Sequence, residues 1–261
     1  MRIVVCVKQV PDPNTVVYRV DPGSKRLVRQ GVSNVLDPGC EVALEAALQH
    51  ADASPDHTVT VVAMGPEDAT EAIRRALAMG AHEGVLISDP QLAGSDALGT
   101  AKALAAAIRR QGFDLIVCAT ESTDGYSGMV PGMIAELLGI PHLSFVRKLE
   151  VNGNEATAQR VTERGYQVLQ CPLPALVTIA SGSNEPRYPA LRGIMAAKRK
   201  QVQQFDAAAL GLNAADVGES GARERVLELQ PLPERQAGEI IQDDGSAAAR
   251  VAAFLAQRGA I

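Results

Sequence analysis

The sequence predicts an α/β protein: a doubly wound, mostly parallel sheet with an antiparallel extension and an extended C-terminal arm. Three observations carry this reading. Short apolar runs alternate with helical stretches through the first half, and those runs are continuously apolar, as in parallel strands covered on both faces. After Pro141 the period changes to strict alternation. Beyond about residue 205 the composition shifts to Ala, Gly, Asp and Glu, which builds no second core. The domain is therefore expected to span 1–205 and the arm 206–261.

Each element has its own signal. Arg2–Val7 is the first strand. Pro38 follows Asp37 as a first-turn proline follows its N-cap, and the helix continues to about Ala51 with Val42, Ala43, Ala46 and Ala47 inward. Thr58–Met64 is a second buried strand, ended by Gly65 and Pro66. The helix Glu67–Met79 opens on acidic residues and stops at Gly80. Val85–Ile87, the helix Ala97–Arg110 and Leu115–Ala119 continue the rhythm. The loop Thr120–Ser127 then leads to a helix that runs to about Leu138 and stops at Gly139. Val146–Val151 and Glu155–Val161 alternate around Asn152-Gly153, a strong hairpin signal. Tyr166–Leu169 and Ala175–Ser181 follow as strands of an antiparallel extension. In the arm, Pro231 and Pro233 keep the chain extended. Ser246–Gln257 sets Val251, Phe254 and Leu255 on one face of a helix too short to fold alone. Such an arm needs another chain to lie on.

Composition excludes several classes. Hydrophobic residues make up 46%, but aromatics only 3% with no Trp, so the core is built from Val, Leu, Ile and Ala. A net charge of −5 argues against general nucleic-acid binding, and the one basic cluster, Lys198-Arg199-Lys200, is too small to reverse that. Cys6, Cys40, Cys118 and Cys171 show no metal-ligand spacing, and Cys6, Cys118 and Cys171 read as buried, reduced thiols in or beside apolar runs. His50, His57, His82 and His142 fall in unrelated elements and read as surface or capping residues. No catalytic constellation and no metal site is expected. Met1 leads straight into a strand, with no signal peptide, transit peptide or long apolar segment ahead of it. The expectation is a protein of the bacterial cytosol, not of the membrane or the mitochondrial matrix.

Two stretches carry chemistry. The loop Glu121-Ser122-Thr123-Asp124-Gly125-Tyr126-Ser127-Gly128 lies between a parallel strand and the next helix, the edge where ligands of open α/β sheets gather. Gly125 and Gly128 allow close backbone approach, and Ser122, Thr123 and Ser127 add hydroxyls for an anion. The residues equally suit an ordinary turn in which Asp124 caps the helix, and Asp124 repels phosphate unless its carboxylate turns away. The second stretch is Asn184-Glu185-Pro186-Arg187-Tyr188-Pro189. Leu191, Ile194 and Met195 come next at helical spacing, ahead of the cationic run. Pro186 and Pro189 forbid a regular helix there. This is the make-up of a docking loop with an aliphatic tip, or of a strand-to-helix connection whose leucine packs inward.

That second stretch resembles the signature of the electron transfer flavoprotein beta subunit. Further segments agree in the family's order: Val7-Lys8-Gln9-Val10-Pro11, Leu36-Asp37-Pro38-Gly39-Cys40-Glu41, Ala76-Leu77-Ala78-Met79-Gly80-Ala81 and Glu121-Ser122-Thr123-Asp124-Gly125. The resemblance is dense over 1 to about 205 and loose beyond, and it implies a Rossmann-like, adenine-nucleotide-binding fold. It further implies a buried structural AMP held, largely through backbone, by Cys6, by Asp37, Pro38, Gly39 and Cys40, by Met64, and by Ala119, Thr120, Glu121, Ser122, Thr123, Asp124, Gly125, Tyr126, Ser127, Gly128, Met129 and Val130. Many relatives follow an Asp-rich loop with Thr-Gly-Gln, whereas this chain has Gly128-Met129-Val130-Pro131, and Pro131 removes one donor from the helix opening.

The resemblance also implies partners. An alpha subunit forms the heterodimer, holds the redox FAD and receives the C-terminal arm, with Pro11, Asp12 and Pro13 expected near its flavin. Acyl-CoA or other dehydrogenases donate electrons, as in fatty acid β-oxidation, and a membrane quinone oxidoreductase accepts them. Glu185, Arg187, Tyr188, Leu191, Ile194, Met195 and Lys198 are the implied docking residues, with Leu191 at the tip. The chain is then an electron-carrier subunit, not an enzyme. Two alternatives stand beside this: a subunit of a flavin-based electron-bifurcating complex with a second FAD in the nucleotide site, and a stand-alone universal-stress-type nucleotide-binding module.

Overall fold

The computed structural model describes residues 1–230, 238 and 240–261. The first strand, β1 (Arg2–Cys6), is followed by an excursion carrying the short strands β2 (Gln9–Pro11), β3 (Val20–Asp21), β4 (Arg26–Leu27) and β5 (Asn34–Leu36). Next come α1 (Pro38–Asp52), β6 (Thr58–Met64), a 3₁₀ turn at Glu67–Ala69, α2 (Thr70–Met79) and β7 (Glu83–Ile87). Then α3 (Ala97–Gln111), β8 (Leu115–Ala119) and α4 (Val130–Leu138) complete the alternating half. The chain continues through β9 (His142–Asn152), β10 (Glu155–Thr162), β11 (Gly165–Pro172), β12 (Ala175–Ile179), α5 (Leu191–Arg199), β13 (Val202–Phe205), α6 (Gly218–Gly221) and α7 (Ala247–Gln257).

Nine strands form one sheet in the order β11-β10-β9-β12-β8-β1-β6-β7-β13. From β9 to β13 every neighbour is parallel; β10 and β11 add an antiparallel meander. Apolar residues fill both faces. Ala43, Leu44 and Leu48 of α1 and Ile73 and Leu77 of α2 pack against Ile3, Val5, Val59, Val61 and Val117. Leu104 and Ile108 of α3 and Ile134 of α4 pack against Val4, Val62, Val85 and Ile116 on the other. The sheet is doubly wound.

The chain order fixes where a ligand can sit. From the central β1 the chain winds one way through β6 and β7, then returns to the other side of β1 at β8. Connections at the carboxyl ends of β1 and β8 therefore diverge, and this switch point is the place where open α/β sheets bind ligands.

Three details differ from the sequence reading. The run beginning at Ala175 is not part of an antiparallel extension: it is the parallel strand β12, inserted between β8 and β9 and ending at Ile179. All five of its residues are buried, which is the continuous apolar signature of an interior strand. The hairpin turn is Gly153-Asn154, since Asn152 already pairs with Glu155, and Gly153 takes the positive φ of 58°. The compact unit extends to Val226 instead of ending near Phe205, because Ala207 and Val217 are buried and Leu210 and Leu212 pack beside them. Residues from Leu227 onward form a separate unit. Its helix α7 leaves Val251 and Phe254 exposed, while Pro231 and Pro233 lie outside the described residues. Among the described residues no helix is long and apolar enough to cross a membrane.

Candidate functional site at the switch point

Parallel pairing brings the strand-end residues together. Cys6 sits beside Cys118 on one side and Val62 on the other, so Cys6, Met64 and Ala119 end three adjacent strands. The segment Asp37–Cys40 opens α1 next to them. Gly39 makes a close approach there: a Cβ would meet the Ala119 Cβ at 3.4 Å and Asp37 Oδ1 at 3.2 Å. Cys40 is buried, Gly39 half-buried and Pro38 exposed.

Asp37 is the pin of the site. Its side chain is fully buried, with Oδ1 accepting from the Gly39 amide at 2.8 Å as the N-cap of α1. Oδ2 accepts from the Thr123 amide at 2.8 Å and the Thr123 hydroxyl at 3.2 Å. One carboxylate thus ties the α1 opening to the loop that follows β8. Thr120 anchors that loop to β12 by donating to the Ile179 carbonyl.

Asp124 does turn away from the loop's surface. Its carboxylate is 0% exposed and lies between two cations, Lys8 Nζ at 2.6 Å and Arg29 Nη2 at 2.7 Å. Lys8 also donates to the Ser122 hydroxyl. Burial raises the Asp124 pKa, but Lys8 and then Arg29 outweigh it and hold the group below its ordinary value of 3.8. Lys8 and Arg29 thus neutralise the Asp124 carboxylate, while Asp37 is satisfied by the Gly39 and Thr123 donors. Asp124 neither caps α4 nor presents negative charge to a ligand. Its ion pairs add stability above pH 3.8, lost as the pH falls toward the depressed folded-state value. In urea unfolding of the isolated chain, Asp124→Asn is expected to cost about 1.5 kcal/mol at pH 7, because Lys8 and Arg29 are partly screened by solvent. The gap should close as the pH falls from 3.8 through the lower folded-state pKa; a gap independent of pH would show that the charge is irrelevant.

The rest of the loop is open. Glu121, Gly125, Ser127 and Met129 are exposed, and Tyr126, also exposed, adopts a positive φ of 49°. Gly128 has φ 62°. The α4 helix starts at Val130, later than the glycines suggest, with no side-chain cap and Pro131 in its first turn. The uncapped opening presents the Val130 and Gly132 amides and the positive end of the helix dipole.

The cysteines at and near the strand ends are held as thiols. Burial, reinforced by Asp37, pushes the Cys40 thiol well up; a hydrogen bond with Cys6, then burial, does the same to Cys118. Neither is a nucleophile at neutral pH. All four cysteines are free, but of the three expected to be buried only Cys118 is: Cys6 and Cys171, at the ends of their apolar runs, are partly buried. The histidines serve the frame: His82 Nδ1 accepts the Val59 amide, and His57 Nδ1 lies 2.9 Å from the His50 carbonyl. Among the described residues no cluster suits a metal. Pro11 is buried, and Asp12 accepts from the Asn14 amide and the Thr15 hydroxyl in a turn.

A second surface lies at the loop after β12. Leu191 is 77% and Tyr188 90% exposed, and Ile194, Met195, Glu185 and Lys198 are exposed as well. Leu191 is therefore no core residue. Arg187, one of the implied docking residues, is committed within the chain to Glu45 at 2.8 Å and Asp52 at 2.9 Å. Sequence reasoning missed the roles of Lys8, Arg29 and Glu45, because each meets its partner across 95 or more residues.

Comparisons with known proteins agree in one direction. The profile of the electron transfer flavoprotein domain matches residues 25–210. The chain is 40% identical to the electron transfer flavoprotein subunit beta of Megasphaera elsdenii, covering 95% of this chain and 94% of that one. It is 41% identical to the Mycobacterium leprae subunit beta, covering 97% of each. Identity is 36%, over 92% of each chain, with the Caffeyl-CoA reductase-Etf complex subunit CarD of Acetobacterium woodii.

Proposed function

This chain belongs to the electron transfer flavoprotein family as a beta subunit, and on that premise we propose that it pairs with an alpha subunit and carries electrons from acyl-CoA or other dehydrogenases to a membrane quinone oxidoreductase. Its own crevice holds a structural AMP, and its Pro11–Pro13 turn lies toward the FAD of the alpha subunit. The FAD supplies the redox chemistry; this chain supplies position, electrostatics and a docking surface. The cytosol is the proposed location.

The observation that carries the nucleotide reading is the Asp37 pin, which joins the α1 opening and the 119–130 loop at the switch point. The residues suit a phosphate: an uncapped helix opening and glycine-lined backbone, with the Asp124 carboxylate neutralised by Lys8 and Arg29. Cys6, Met64 and Ala119 would form the floor, with Ser122, Thr123 and Ser127 offering hydroxyls. A second FAD in the same crevice is the alternative, supported by the similarity to a subunit named for a caffeyl-CoA reductase complex. The exposed loop after β12 argues against a stand-alone module, which needs no docking surface.

The test is cofactor stoichiometry of the co-purified heterodimer. One flavin and one AMP per heterodimer are expected. Two flavins without AMP would establish the alternative, and no nucleotide beyond one flavin would refute the crevice. In the same material the amides of Ala247–Gln257 should exchange more slowly than in the isolated chain. Equal rates would refute docking of the arm on the alpha subunit.

A further inference from the structure

The proposed docking loop is held by a buried charge that lies on a different element. Glu45 projects from α1 and is 4% exposed, and a carboxylate out of water must be fully partnered or it destabilises the fold. Its partners come from the loop. The Arg187 backbone amide donates to Oε2 at 3.1 Å and Nε to the same oxygen at 2.8 Å, while Nη2 reaches Oε1 at 3.0 Å. Gln49 supplies one further donor at 3.1 Å. The main chain of the loop is thus gripped along with its side chain.

The grip extends along one stripe of α1. Asn184 Nδ2 donates to the Val42 carbonyl at 3.0 Å, and Arg187 Nη2 reaches Asp52 at 2.9 Å. Val42, Glu45, Gln49 and Asp52 recur at helical spacing, so the loop lies along a single face. Pro186 and Pro189 flank the gripped residue and restrict the backbone on either side. Beyond them α5 is fixed separately. A Cβ at Gly193 would come within 2.5 Å of the Ala78 carbonyl oxygen, so α5 lies directly on α2. Arg74 Nη1 and Lys200 Nζ donate to the Ala197 and Ala81 carbonyls. Tyr188 and Leu191 stand exposed in the short span between these two fixed points.

A buried ion pair adds little net stability over an apolar pair of the same shape; what it can fix is geometry. We infer that Glu45 is the positioning residue of the docking loop, its carboxylate holding Arg187 so that Leu191 meets a dehydrogenase already in its bound conformation. This rests on the docking reading proposed above. Loosening the clamp leaves every docking residue in place but makes the loop pay ordering entropy on each encounter.

The experiment uses the assembled heterodimer, an acyl-CoA dehydrogenase with its substrate, and a dye as final acceptor. Glu45→Gln, which keeps size and removes charge, should raise the KM for the dehydrogenase–heterodimer encounter about tenfold with kcat changed less than about twofold. Reduction by dithionite should not change. Because the clamp acts through Leu191, adding Glu45→Gln to Leu191→Ala should raise KM no further. A merely structural role predicts independent, multiplying effects, and that result, or an unchanged KM in Glu45→Gln alone, overturns the inference. If Leu191→Ala itself leaves KM unchanged, the docking reading falls and the clamp with it; a normal Glu45→Gln beside an impaired Leu191→Ala removes the clamp only. Should Glu45→Gln fail to assemble, Arg187→Lys tests the same contact from the other side, keeping the charge while losing the two-nitrogen fork, and the same KM rise is required.

Discussion

Leu191→Ala is expected to remove most electron acceptance from the dehydrogenase while flavin content, nucleotide content and thermal unfolding stay as they are. The side chain is 77% exposed, so truncation opens no cavity and costs the fold almost nothing. In a complex the same side chain can be buried fully, worth roughly 1.5–3 kcal/mol. That corresponds to a loss of about ten- to a hundredfold in encounter affinity. Electron transfer requires brief encounters, and a small interface with one dominant anchor suits that better than a large tight one. Ile194 and Met195, also exposed, extend the apolar tip, and Arg192 and Lys198 remain available to acidic groups on the partner. Steady-state kinetics with varied heterodimer, alongside thermal unfolding, decides the matter. A lower unfolding temperature with unchanged dehydrogenase kinetics would refute the anchor.

What the sequence made legible was local. Continuous apolar runs located β1, β6, β7 and β8, glycines marked the ends of α2 and α4, and the Asp37-Pro38 pair marked the start of α1. The family motifs fell on the strand ends and loop that meet at the switch point and on the exposed loop after β12. Long-range partnership was not legible. Nothing near Ala175 says that its strand enters the sheet between β8 and β9, because strand order is decided by packing across the whole sheet. Arg29 lies 95 residues from Asp124, and Glu45 lies 142 from Arg187. In each case a charged residue on an ordinary helix or excursion gives no local sign of its partner. Arg187 shows the consequence: placed beside an exposed leucine it reads as partner-facing, yet it serves its own chain. The stretch around Val217 shows another: its buried valine and the Lys102–Asp216, Ser95–Gly218 and Asp96–Arg223 contacts keep a polar, glycine-rich stretch on the domain, and every partner lies over 100 residues away.

Gly128→Val is expected to strip the nucleotide from the crevice and weaken heterodimer assembly. The physical reason is conformational rather than a collision. A Cβ built on Gly128 would stand 3.7 Å from Glu121 Oε2 and 4.0 Å from the Thr120 carbonyl, both ordinary contacts. The backbone, however, has φ 62°, a left-handed conformation that costs an ordinary L-residue roughly 1–2 kcal/mol and a β-branched one more. Tyr126, two residues earlier, already sits at a positive φ, so the turn has little slack for a second such residue. Relieving the strain would swing Met129 and the α4 opening away from the position where their amides can meet a phosphate. A penalty of that size corresponds to about a five- to thirtyfold loss of nucleotide affinity. The nucleotide stabilises only the folded form, so its loss should lower the unfolding temperature as well, and added AMP should restore part of it. Gly128→Asn is the discriminating control, because asparagine tolerates the left-handed region and should retain the nucleotide where valine does not. A Gly128→Val heterodimer that assembles with full nucleotide content would show that the 119–130 loop is not the phosphate cradle.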